Sequence, residues 1–217
     1  MELAFGKKRN NGSLPFGGIR PVPRGRANIL ALAVLTLALS GCILLTPPPS
    51  RTFDLTAPTA ISKVSGRAGQ LLIVEPSALQ ALAGSGIVVR PTASELNYYP
   101  KAQWADNLPK LLQAKILESF EATGRARAVG KPGDGLVIDY QILSNLRSFE
   151  FHAIEQAAKV DISIKIVNDR SGRVVGTREF NSSVTAASDA LEDAVFALDL
   201  AMDQVIVEIV RWTLLRT

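Results

Sequence analysis

The stretch "KVDISIKIVNDRSGRVVGTREFNSSV", Lys159 to Val184, restricts the fold more than any other part of the chain. Val160, Ile162, Ile164 and Ile166 alternate with Lys159, Asp161, Ser163 and Lys165, the period-2 pattern of a strand buried on one face. "NDRSG", Asn168 to Gly172, is a hairpin turn, and "RVVGTREFNSSV" is the strand that returns from it. Just upstream, "GLVIDYQI" aligns Leu136, Ile138, Tyr140 and Ile142 on one face. Three such strands in succession predict an antiparallel sheet with one face covered.

Two helices are available to cover it. The first is expected from about Trp104 to Thr123, with Asp106 as N-cap and Pro109 in the first turn. Trp104, Leu108, Leu111, Leu112, Ile116 and Phe120 share one face, and Gly124 ends the helix. The second is expected from about Asp189 to Trp212, opened by a capping-box-like pair, Asp189 and Glu192. Leu191, Val195, Leu198, Met202, Val205, Ile209 and Trp212 follow at alternating spacings of four and three. That seam suits a partner helix or a core. Phe196, Leu200, Ile206 and Val210 widen the apolar face, which favours the core.

Shorter elements precede the helices. "RTFDL" from Arg51 reads as a strand, and Thr56–Gln70 as a loop. "LLIVEP" reads as a strand stopped by Pro76, and "SALQALAGSG" as a helical turn capped by Ser77. "IVVRP" and "ELNYYP" complete the set, the latter ending at Pro100. The expected class is α+β: one domain, a mainly antiparallel sheet, and two long helices packed on one face.

Catalytic equipment is sparse. The single histidine, His152, sits in "SFEFHAIEQ" with no orienting partner visible in sequence, and reads as a solvated turn residue. Glu150 and Glu155 beside it make a weak metal set, and no metal site is expected. "GKPGDG", Gly130 to Gly135, lacks the order of a phosphate-binding loop and reads as a turn. Ser85 is not in a nucleophile elbow. Asp189, Glu192 and Asp193 cluster where negative charge suits a helix start. No catalytic residue is expected, and the chain reads as a non-enzyme.

The only cysteine, Cys42, lies in "LTLALSGCILLTPPPSR". Lys7, Lys8, Arg9, Arg20, Arg24 and Arg26 precede "ILALAVLTLAL", an apolar run of eleven residues, short of the roughly 20 that span a bilayer. Basic region, short apolar run and small residues form a secretory signal. Its end, Leu39-Ser40-Gly41-Cys42, looks like the lipobox of bacterial lipoproteins, which is cleaved between Gly41 and Cys42 and acylated on the Cys sulfur. An ordinary signal peptide that ends near a Cys, or a core thiol, is the alternative. The expected organisation is a signal peptide over 1–41, a lipidated Cys and Pro-rich spacer over 42–50, and a domain over 51–217. Acylation at Cys42 is the expected modification, with no cofactor besides it, and more than one acyl chain makes anchoring stable. At about 3.1 Å per residue the spacer reaches roughly 25 Å.

Charge must be recounted without the leader. Residues 1–41 hold six of the 24 basic and one of the 20 acidic residues, which leaves 18 basic against 19 acidic, a net of −1. The basic character belongs to the leader, and with it goes any expectation of a nucleic-acid partner.

The order of features after residue 41 resembles the ABC-type transport auxiliary lipoprotein family, the PqiC/YmbA-like proteins that accompany MCE-type lipid transporters. The resemblance rests on Cys42, "FDL" soon after it, "LLIVEPSALQALAGSGIVVRP" and "LNYYPKAQWADNLPKLLQAKILESFEATG". It includes the Tyr-rich strand end at Tyr98 and Tyr99, the Trp104-Ala105 pair before a Leu-rich helix, a "DY-Q-I" strand, a "D-R-SG" hairpin and a long helix ending near Trp212. The resemblance implies a lipid-anchored protein on the periplasmic face of the outer membrane, a site that Ile43 after the Cys also favours. Implied partners are an MCE-domain protein with its inner-membrane permease and ATPase, acting on lipids or other hydrophobic molecules. A lipid ligand and a homo-oligomer are further partner candidates. Tyr98, Tyr99 and Trp104 are candidate interface residues, since aromatics dominate contact hot spots; core packing at a strand–helix junction is their alternative. Two other functions remain open: a periplasmic carrier that binds lipid itself, and a scaffolding lipoprotein of outer-membrane assembly.

Overall fold

In a computed structural model of the chain, residues 50–58, 61 and 65–217 are described. Gly41, Cys42, the spacer up to Pro49 and part of the expected 56–70 loop lie outside the described residues.

The longest strand explains the topology. β7, Tyr140–His152, has 13 residues, and it pairs antiparallel with β8, Ala157–Asn168, from end to end apart from a bulge at Arg147. Along its opposite edge β7 takes three short strands in turn, all parallel to it. β2, Ala68–Ile73, meets Tyr140–Ile142; β3, Ser77–Ala78, meets Asn145–Leu146; β4, Gly86–Arg90, meets Phe151–His152. β9, Val174–Thr185, extends the sheet from β8. β5, Asn97–Trp104, pairs antiparallel with β4, β1, Arg51–Phe53, pairs parallel with β5, and β6, Ala126–Gly130, pairs parallel with β2.

Among the described residues the sheet of nine strands is therefore mixed: its three longest strands pair antiparallel, but β2, β3 and β4 all return to one edge of β7 parallel to it. With two α-helices among the described residues the class is α+β. α1 is Leu108–Thr123 and α2 is Leu191–Leu214. α2 packs on β7, β8 and β9, whereas α1 packs on β2 and β6 and touches α2.

The β8 alternation survives intact: Val160, Ile162, Ile164 and Ile166 are all buried. So does the α2 seam, where Val195, Leu198, Met202, Val205, Ile209 and Trp212 join the core while Leu191 is partly buried against it. Ile206 and Val210 join them, but Phe196 is 70% and Leu200 39% exposed, so the apolar face is narrower than expected. On α1, Leu108, Leu111, Leu112, Ile116 and Phe120 face inward. Gly124 closes that helix in the left-handed region, φ 59°, where a side chain would be strained.

Several boundaries differ from expectation, each for a local reason. Trp104 ends β5 and is not in α1, whose N-cap position is Asn107; the Asp106 carboxylate accepts the Asn107 N–H at 2.7 Å instead. The N-cap position of α2 is Ala190, not Asp189, and no side chain caps it. Glu192 pairs with Arg51. Ser77 is a strand residue whose hydroxyl bonds the Ser144 carbonyl, so the following 3₁₀ turn, Gln80–Leu82, starts without it. β2 begins at Ala68, inside the expected loop. Leu136 and Ile138 precede β7, because β2 reaches it only from Tyr140 onward. β5 runs through Pro100: proline lacks a ladder N–H, Lys101 takes φ 55°, and the register with β4 shifts before pairing resumes.

Candidate functional site

The three aromatic candidates come together around β5 but differ in what they present. Trp104 is 1% exposed and packs edge-on against Phe149, ring centroids 5.7 Å apart. It is a core residue, so its place among interface candidates is corrected. Its position follows from alternation after the bulge, which turns Ala102 and Trp104 inward and Gln103 outward.

Tyr98 is 48% exposed. Its hydroxyl donates to the Ala81 carbonyl at 3.1 Å. Its ring lies over Gly86, where an added Cβ would stand 2.5 Å from the ring, so that glycine makes room for it. The rigid ring keeps one face in solvent beside the turn that carries Leu79, itself 74% exposed. Tyr99 is half-buried, 6.4 Å from Phe151, and donates to the Asp189 carbonyl at 3.0 Å. Burial first, and the Asp189 charge second, push its hydroxyl up to about 12. Tyr99 is thus a neutral clasp between β5 and the start of α2, while Tyr98 offers contact area.

A charged cluster closes the neighbouring strand ends. Arg90 on β4 grips Glu150 on β7 with two bonds, Nε to Oε1 at 2.9 Å and Nη2 to Oε2 at 2.7 Å. His152 Nε2 lies 3.0 Å from Glu150 Oε1, and Nδ1 lies 3.6 Å from Glu155 Oε1. Lys159 pairs with Glu155 in turn. Burial pushes the Glu150 carboxyl up, but the bonds from Arg90 and His152 outweigh it and hold it below the ordinary glutamate range. His152 is therefore not a solvated turn residue: its side chain is 19% exposed and Glu150 orients it. Sequence could not reveal this, because Arg90 and Glu150 are 60 residues apart. The bidentate Arg90 pair holds Glu150 as an anion, which is a structural arrangement. Among the described residues His152 bonds no hydroxyl or thiol, and no group of three or more His, Cys, Asp and Glu converges as a metal site. "GKPGDG" is a turn, as expected: the Asp134 carboxylate accepts the Lys131 N–H at 2.8 Å.

Comparison with known proteins places these features. Residues 53–210 match the sequence profile of the ABC-type transport auxiliary lipoprotein component family. The chain belongs to this family. The match contains the whole β5–α1 junction, the Arg90–Glu150 pair and most of α2. Protein XCC0632 from Xanthomonas campestris is 28% identical, with a TM-score of 0.70 over 76% of this chain and 95% of that one. A second crystal structure, of an uncharacterized protein, shares the fold at 15% identity and a TM-score of 0.63, over 76% of this chain and 99% of that one. An uncharacterized protein of Bradyrhizobium diazoefficiens is 30% identical over 171 residues, 78% of this chain. The matched region is 46% of that relative, so this chain spans about half its length. The family is that of an auxiliary lipoprotein component of ABC-type transport. None of the described helices is long and apolar enough to cross a membrane.

Proposed function

We propose that the chain is a lipoprotein anchored through Cys42 on the periplasmic face of the outer membrane, where its domain docks an MCE-type transporter. The inner-membrane permease and ATPase supply transport, and this domain supplies binding surface in place of chemistry. The family match over residues 53–210 is the observation that carries the reading. The basic, apolar and small residues that end at Gly41-Cys42 support the anchor. Tyr98, exposed and held in orientation by Ala81 and Gly86, is the aromatic contact in this proposal.

Direct carriage of a lipid chain fits the interior less well. The space between sheet and helices is filled by side chains such as Leu71, Ile73, Leu112, Phe120 and Leu198, each fully buried. Genetic interaction tests the proposal. Deleting the chain, the partner ATPase, or both is expected to give the same loss of outer-membrane barrier function. Additive defects would remove the chain from that transporter and favour a scaffold of outer-membrane assembly.

A further inference from the structure

A cleft of about 800 Å³ opens where the start of β2, the α1–β6 junction and the β8–β9 hairpin meet. Four arginines from three separate stretches line it: Arg67, Arg125, Arg127 and Arg170. All four are exposed. The rest of the lining holds one acidic side chain, Asp139. Such a concentration is not the average of the domain, since the chain after residue 41 carries a net of −1.

Asp139 is already engaged. It accepts the Gln70 N–H at 2.9 Å and pairs with Arg170 at 3.2 Å. Gly69 lets it sit this close to β2, because a Cβ there would stand 2.5 Å from its Oδ2. Among the described residues, Arg67, Arg125 and Arg127 have neither an acidic partner nor a side-chain hydrogen bond. Arg125 stands just before β6 and Arg127 is the second residue of that strand, and both line the cleft, where like charges repel.

Helix ends do not account for these guanidiniums. Gly124, which closes α1, and Thr217, three residues past the end of α2, both line the cleft, and cations suit helix C-termini. Several of their last carbonyls, however, find other donors. Thr123 Oγ1 bonds Phe120 O, and Gly124 N bonds Glu121 O. Thr213 O accepts from Arg216 N and Thr217 N, and Trp212 O accepts from Arg216 Nη1. The cleft arginines take no part.

We infer that this cleft binds an anionic phosphate group, carried by a soluble phosphorylated molecule or by a lipid headgroup. Several guanidinium forks around one opening match the multiple oxygens of a phosphate, and the volume exceeds what one bare anion fills. A phosphate relieves the Arg125–Arg127 repulsion and occupies donors that the fold leaves unused. The inference does not depend on the transporter reading.

The test uses the full chain in nonionic detergent and three probes: inorganic phosphate, glycerol 3-phosphate, and vesicles. The vesicles are phosphatidylcholine alone or with phosphatidylglycerol. Titration calorimetry and vesicle flotation read binding for wild type, for the double variant Arg125→Gln/Arg127→Gln, and for Arg147→Gln. Arg147 pairs with Glu179 and does not line the cleft, so it controls for loss of any one positive charge. Thermal melts confirm that each variant folds. Binding of either soluble probe, weakened at least about tenfold in the double variant and unchanged in Arg147→Gln, supports a soluble ligand. Preference for the phosphatidylglycerol vesicles alone, lost in the double variant, supports a headgroup. No binding of any probe, or equal losses in the double variant and Arg147→Gln, overturns the inference.

Discussion

Single residues decide where charge is tolerated inside this domain. Glu150 is buried because Arg90 holds it with two bonds. Arg90→Ala is expected to cost about 3 kcal/mol, since it strands a buried carboxylate. Arg90→Met combined with Glu150→Leu is expected to recover most of that loss in denaturant melts. Asp203 on α2 is the opposite case. One carboxylate oxygen is buried without a partner, and burial, with the nearby Asp199 charge, pushes its pKa up to about 6. The unfolded chain then loses this proton at a lower pH than the folded chain does. Stability is therefore expected to fall as pH rises from about 4 to about 6, and to level off above that. Asp203→Asn is expected to remove this slope and to add roughly 1 kcal/mol at neutral pH, once solvent screening of a partly exposed carboxylate is allowed for. Thermal melts of both proteins across that pH range check it.

At the scale of elements, α2 is both the largest contributor to the core and a partly open surface. Leu198→Ala, at a fully buried position, is expected to destabilise by about 2–5 kcal/mol. Phe196→Ala, on the exposed side of the same helix, is expected to change stability by less than about 0.5 kcal/mol. Equal losses in chemical denaturation would mean that the outward face is covered in solution. The strands and helices with strong local periodicity were legible in sequence: β8, β9 and the inward rows of α1 and α2 follow from alternation and helical spacing. Strand direction was not legible, because β2, β3 and β4 choose the same edge of β7 through tertiary packing. The β5 bulge was also hidden, since Pro100 reads as a stop until a neighbouring strand holds the chain beyond it. Of the aromatic candidates, Tyr98 was readable as surface only once that bulge set which way Trp104 points. The arginine cleft joins residues about 100 positions apart in sequence, so no local pattern announces it.

For the whole molecule, the proposed arrangement divides the work between anchor and domain. A lipidated Cys42 would fix the chain to a membrane, and the roughly 25 Å spacer would keep the domain near that surface. In that arrangement a transporter would have to be brought to the domain, because the domain could not reach across the periplasm. In-cell crosslinking followed by affinity purification and mass spectrometry tests this most directly, comparing wild type with Cys42→Ala. Recovery of an MCE-domain protein and its ATPase with the wild-type chain, much reduced for Cys42→Ala, is the expected result. Recovery of outer-membrane proteins alone, or equal recovery of the transporter from both chains, would contradict an anchored docking subunit.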